Sequence, residues 1–278
     1  MAEDAVVEAE AKEEPKLISD EPLLAIMGKR FPLDLMGGEL TVHGVPVFVQ
    51  EKPNTGEGTA HTVWDGGVVL AKYLEHKYTA GLVDKTVLEL GSGTGIVGVV
   101  ASILGARRVY LTDLPYALPT LQDTIERNAL SCKGHVAAVP LDWTAPDDRF
   151  DDVDIIVASD VVWVQELILP LVGVLEHLTA HRPDPPLVIL SHQTRSTASD
   201  ELFFGALRRN FEVTTVPADE HHPEFRDADA IGIYELRRRR GGSGSGSGGG
   251  GKAGKKKSKK AKKRQRAAAA AATMRRRR

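Results

Sequence analysis

A single cysteine, Cys132, stands among the 278 residues, so no intrachain disulfide can staple this chain. A lone thiol fits a reducing compartment, and the expected location is the cytoplasm, the nucleus or both. Aromatic residues make up only 5%, which excludes a base-stacking platform spread along the chain. Long apolar runs are missing as well. Val153 to Val164 is the nearest approach, and Asp154 and Asp160 interrupt it. A bilayer span needs about 18 uninterrupted apolar residues, so no membrane contact is expected. The first residues, Met1-Ala2-Glu3-Asp4, are acidic and lack the apolar core of a secretory leader. They also lack the Arg-rich character of a transit peptide. No Ser/His/Asp triad and no spaced Cys/His cluster is visible. His221-His222 sits among Asp219, Glu220 and Glu224 and reads as a solvated loop, so no metal is expected.

Acidic residues are absent from Arg237 onward, where 18 Lys and Arg fall. The remaining 18 basic residues face all 38 acidic ones. A formal charge of −2 therefore joins a body near −20 to a tail near +18. Three regions follow: an acidic, largely disordered N-terminus (1–30), a folded domain (31–236), and a Gly/Ser linker with a basic low-complexity tail (237–278). The cluster from Lys255 to Arg266 has the composition of a nuclear localisation signal or of a patch for nucleic acid or an acidic protein.

What is present is alternation. Leu40 to Val49 reads as two short strands turned at His43-Gly44, with Pro46 keeping the second from a central position. Val63 to Tyr78 has apolar residues at helical spacing. Short apolar runs at Val87–Leu90, Val109–Thr112, Val136–Val139, Ile155–Ala158 and Leu187–Leu190 read as buried strands. Between them, 95–104, 116–130 and 167–178 read as helices, with Pro170 tolerable only in a first turn. A helix over 201–210 and strands over 212–216 and 230–236 close the domain. Strand–helix alternation implies an α/β fold: a Rossmann-like, doubly wound, mostly parallel seven-stranded sheet with an N-terminal strand extension. Ligands bind such sheets at the carboxyl ends of the strands.

One of those ends carries Glu89-Leu90-Gly91-Ser92-Gly93-Thr94-Gly95, opening a helix. Glycines there let the backbone turn sharply and a ligand approach it. The run Gly93 to Gly98 also matches the dinucleotide fingerprint G-x-G-x-x-G. Glu89 bears on the choice between a nicotinamide and S-adenosylmethionine. A carboxylate at that place can take the donor's ammonium and would repel a pyrophosphate. Asp113 ends the next strand and can hold ribose hydroxyls in either case. Asp142-Trp143 follows the third strand, where the indole can cover an adenine and the carboxylate can meet its amino group.

The runs Val63-Trp64-Asp65-Gly66-Gly67, Leu88 to Gly98, Leu111-Thr112-Asp113, Leu141-Asp142-Trp143 and Ala158-Ser159-Asp160-Val161-Val162-Trp163 resemble the methyltransferase-like 21 group of seven-strand protein-lysine methyltransferases. The resemblance covers about residues 40 to 236. It implies S-adenosylmethionine as cofactor and a lysine on a protein as acceptor; separately, a monomer is expected. It implies that Trp64, Glu89, Gly91, Ser92, Gly93, Gly95, Asp113, Asp142, Trp143 and Ser159 bind the donor. Asp160 and Trp163 stand in the family's Asp-x-x-Tyr motif beside the transferring methyl. Here tryptophan replaces the tyrosine; an indole offers a π face to a cation but no acid or base. The alternatives are an acceptor that is a small molecule, a protein histidine or RNA, a non-catalytic cofactor-binding module, and a nicotinamide oxidoreductase.

Overall fold

The His43-Gly44 turn forms as its residue types dictate. Both adopt left-handed backbone angles, φ 48° and 78°, the requirement of a two-residue hairpin turn. The hairpin is short: β1 (Thr41–Val42) and β2 (Val45–Pro46) form their own two-stranded sheet. The computed structural model describes residues 29–53, 58–146, 149–180, 182–227 and 229–239. The acidic N-terminus through residue 28 and the basic tail from Arg240 lie outside the described residues.

The elements then follow in the expected order. Helix α1 spans Asp65–Lys77, β3 Thr86–Leu90, α2 Ile96–Ile103, β4 Arg108–Asp113 and α3 Leu118–Arg127. They are followed by β5 (His135–Pro140), β6 (Ile155–Ser159), α4 (Gln165–Thr179), β7 (Leu187–Gln193), α5 (Thr197–Asn210), β8 (Phe211–Thr215) and β9 (Ile231–Arg238). The main sheet has seven strands in the order β5-β4-β3-β6-β7-β9-β8. Every pair from β5 to β7 is parallel, and β9 runs antiparallel to both of its neighbours. The chain winds outward from β3 to β5, then returns to the other side of β3 with β6. The switch point lies between β3 and β6, where such sheets bind ligands.

Strand alternation divides the core in two. Val87, Val109, Val157 and Ile189 pack with α1, α2 and α3 on one face. Leu88, Leu90, Ile156 and Leu190 pack with α4 and α5 on the other. Glu89 lies on the same face as Val87 and therefore points under α2. Burial on both faces explains why these strands read as unbroken apolar runs.

Three expectations need correction. Helix α4 begins at Gln165, two residues before the apolar pattern, because Gln165 and Glu166 join its exposed first turn. Pro170 is then the sixth helical residue, past the first turn, and the helix does without that N–H. The expected 116–130 helix is shorter. A 3-10 turn, Pro115–Ala117, precedes α3, and α3 stops at Arg127 because Asn128 is used elsewhere. The Asn128 side chain accepts from Phe48 N–H (2.9 Å) and donates to Phe48 C=O (2.7 Å), tying the segment after the hairpin to the end of α3. Finally, His221 is not solvated. It is 2% exposed, its ring meets Tyr73 edge-on at 6.2 Å, and burial pushes its pKa down. His222 packs against His76 and Phe225. Among the described residues no helix is long and apolar enough to cross a membrane, and no His/Cys/Asp/Glu group could hold a metal.

Candidate active site

Alternating glycines make the loop after β3. Gly91, Gly93 and Gly95 have φ of +61°, +54° and +79°, a region where an L side chain is strained. Ser92 N–H donates to Thr112 C=O (3.0 Å) and Gly95 N–H to Ser92 C=O (2.7 Å). These bonds lash the loop to β4 and start α2. A Cβ on Gly91 would lie 3.0 Å from both Trp143 and Val161. The missing side chain therefore lets the indole settle on the loop.

Beneath the loop, the Glu89 carboxylate accepts from Gly98 N–H at 3.0 Å. Burial pushes its pKa up to about 8; the Gly98 amide opposes this and the nearby Asp113 charge adds to it. The linkage has a definite sign. The folded protein holds this proton more tightly than the unfolded chain, so the contribution of Glu89 to stability is fullest below pH 4.5. It declines by a few kcal/mol as the pH rises to about 8. Urea unfolding of Glu89→Gln should lose most of that slope; an unchanged slope would assign it to other groups.

Asp113, at the end of β4, accepts from Gly93 N–H (2.8 Å) and Leu114 N–H (2.7 Å). Burial raises its pKa, and the two amides and His61 act against that. Asp142 is exposed and closes a turn by accepting from Thr144 N–H (2.8 Å) and its hydroxyl (2.7 Å). Those bonds hold its carboxyl below the usual range.

Asp160 takes a left-handed backbone angle, φ 50°. Its carboxylate accepts from Gly66 N–H at 3.0 Å and Gln193 N–H at 3.3 Å. Burial raises its pKa, and the Arg195 guanidinium at 3.9 Å opposes the shift. Ser191 Oγ donates to Gly66 C=O at 2.7 Å. Together these bonds bracket the start of α1 to the ends of β6 and β7. A glycine is required at 66, because a Cβ there would lie 2.5 Å from the Asp160 carboxylate.

All of the twelve residues singled out in the sequence, except Glu89 and Gly95, border one cavity of about 340 Å³ at the switch point. Glu89 lies beneath it, and Gly95 packs toward Leu111 and Leu121. The chain's three tryptophans, 64, 143 and 163, all border this cavity. Trp163 stands at the rim, 47% exposed. Sequence reasoning missed Thr59, Ala60 and Thr62, which close one side, and Tyr116 beyond β4. His61 holds that side to α3 through Thr120 Oγ1 at 2.8 Å and meets Tyr116 edge-on. Proximity to Val63-Trp64 was the available signal for the first three, and Pro115 after Asp113 for the fourth.

Among the described residues no lysine or arginine borders the cavity, whereas Asp113, Asp142 and Asp160 do. Such a wall suits a cationic ligand and repels a pyrophosphate. Sheet order, alternating-glycine loop and acidic, indole-lined cavity define the seven-strand class of S-adenosylmethionine-dependent methyltransferases. A family model described as lysine methyltransferase matches residues 47–210, more than half the chain. The chain belongs to that family. It is 41% identical over 123 residues to "Protein-lysine methyltransferase METTL21E" of Mus musculus, covering 42% of this chain and 50% of that protein. Against "Protein N-lysine methyltransferase METTL21A" of Danio rerio the identity is 37% over 168 residues, covering 58% and 73%. Against "EEF1A lysine methyltransferase 3" of Xenopus tropicalis it is 32% over 182 residues, covering 65% and 76%. The match thus spans half the length of the mouse relative and about three quarters of the other two.

Proposed function

We propose that this protein transfers a methyl group from S-adenosylmethionine to a lysine side chain of a protein acceptor. The observation that carries the reading is the convergence of glycine loop, strand-end carboxylates and three indoles on one cavity in a lysine methyltransferase family chain. The named relatives support lysine and protein as the acceptor class.

The cavity's residues fit such a donor part by part. Asp113 is placed to take the ribose hydroxyls, since each carboxylate oxygen has a lone pair beyond the amide it already accepts. Trp143, packed on Gly91, offers its face to the adenine, with Asp142 beside it. Trp64, at the start of α1, lies toward the methionine end. The donor, when bound, supplies an activated methyl carbon bearing a good leaving group. The chain's part is to hold the amine in line behind that carbon. A lysine amine must first lose its proton, and its ordinary pKa is about 10.4. Desolvation at the cavity mouth favours the neutral form. Trp163 lends an apolar face there and no proton acceptor. Asp160 borders the cavity while its two oxygens accept from the Gly66 and Gln193 amides. Those bonds hold the start of α1, and the remaining lone pair on each oxygen is free to orient the acceptor amine through its hydrogens.

The single cysteine supports a reducing cytoplasmic or nuclear setting. The basic tail adds a contact with nucleic acid or an acidic protein, supported by its charge alone and marked by sensitivity to salt.

The test is calorimetric titration of the full chain with S-adenosylhomocysteine, with NAD as the control. Micromolar affinity for the first and none for the second is expected. Labelled-methyl transfer to cell extract should then mark lysines. No binding of S-adenosylhomocysteine would sink the reading; binding without lysine labelling would sink the acceptor class alone.

A further inference from the structure

One cation lies directly behind the cavity wall. Arg195, in the loop after β7, stacks its guanidinium over the Trp64 ring at 4.9 Å. Arg195 does not border the cavity, whereas Trp64 does. The guanidinium thus covers one part of the indole and the cavity occupies another. The Arg195 side chain is only 17% exposed, and its one carboxylate neighbour within 4 Å among the described residues is Asp160.

We infer that Arg195 is a positioning residue for the methionine end of the donor site, acting through Trp64. The inference rests on the donor reading above. Three observations carry it. Trp64 has one weak polar tie of its own: its Nε1 donates to Thr59 C=O at a long 3.4 Å. A small open pocket of about 20 Å³ adjoins the Trp64 residue, bordered by Lys29, Thr62, Val63, Asp65, Gln193 and Arg195 as well. That pocket alone holds about one water, but removal of the guanidinium that borders it would enlarge the space and leave that part of the ring without a packing partner. Finally, Arg195 balances the buried Asp160 carboxylate, which otherwise faces His192 and the Gly66 and Gln193 amides. One arginine therefore steadies both anchors of the wall. Lysine cannot replace it fully, because an ammonium lacks the planar face that stacks on an indole.

The experiment compares two ligands, S-adenosylhomocysteine and 5′-methylthioadenosine, which keeps the adenosine and lacks the amino-acid part. In Arg195→Met, binding of the first should weaken about tenfold, a size typical of a desolvated cation–π contact. Binding of the second should stay within about twofold. In a Trp64→Leu background, adding Arg195→Met should have little further effect, the sign of one coupled unit. Arg195→Lys should fall between wild type and Arg195→Met, and it carries the comparison should the methionine variant lose its cooperative melt. Equal weakening of both ligands, unchanged binding of both, or multiplying losses with Trp64→Leu would each overturn the inference. Failure of the wild-type protein to bind S-adenosylhomocysteine would instead overturn the donor reading itself.

Discussion

Gly91→Val should abolish measurable binding of S-adenosylhomocysteine, a loss of more than about a hundredfold, while leaving a folded domain. Two separate effects combine. The residue sits at φ +61°, where a β-branched side chain is strained by about 1–3 kcal/mol. Its Cβ would also meet Trp143 and Val161 at 3.0 Å, and the valine methyls reach further still. The core beneath is full, so the indole has to leave the cavity floor. Thermal melting and calorimetry on the same preparation separate the outcomes. A variant that melts as a cooperative unit yet binds like wild type would show that Trp143 is not part of the donor site.

Asp113→Ala should weaken donor binding by about a hundredfold to ten-thousandfold, from the loss of two charge-assisted hydrogen bonds at about 1.5–3 kcal/mol each. It should also loosen the glycine loop, because Gly93 N–H and Leu114 N–H lose their acceptor. Asp113→Asn separates the two effects. It keeps an acceptor for one amide and restores much of the stability, but its amide cannot accept from both ribose hydroxyls. The predicted pattern is therefore near-native melting in Asn, reduced melting in Ala, and poor binding in both. Native affinity in the Asn variant would remove the ribose contact from the reading.

Most of the sheet was legible because its strands are buried on both faces and flanked by glycine, aspartate or proline. Val87 to Leu90 and Ile155 to Ala158 could hardly be anything else. The site was legible where it sits on strand ends: Asp113, Asp142 and Asp160 each follow an apolar run. What sequence alone could not show was where their carboxylates point. Asp160 reads as a group beside the methyl carbon, and only the fold reveals that it also accepts from Gly66 and Gln193, on two distant elements. Thr59 and Tyr116 escaped for the same reason, since nothing local brings residues before α1 beside those after β4. His221 was misread because its polar neighbours in sequence are not its neighbours in space; Tyr73 is. The start of α4 was missed because amphipathic periodicity cannot see two exposed polar residues in a first turn.

The position of β9 has a consequence for how the molecule is made. It is the last strand of the domain to leave the ribosome, yet it lies between β7 and β8. Until residues 231–238 emerge, β7 presents an open edge from Val188 to Gln193, and β8 has no strand to join. The nascent domain must therefore wait with that edge unpaired, a state prone to pairing with other chains. A chain cut just before Ile231 would lose far more than eight residues of sheet. It would retain every residue that borders the donor cavity, and should still accumulate as aggregate.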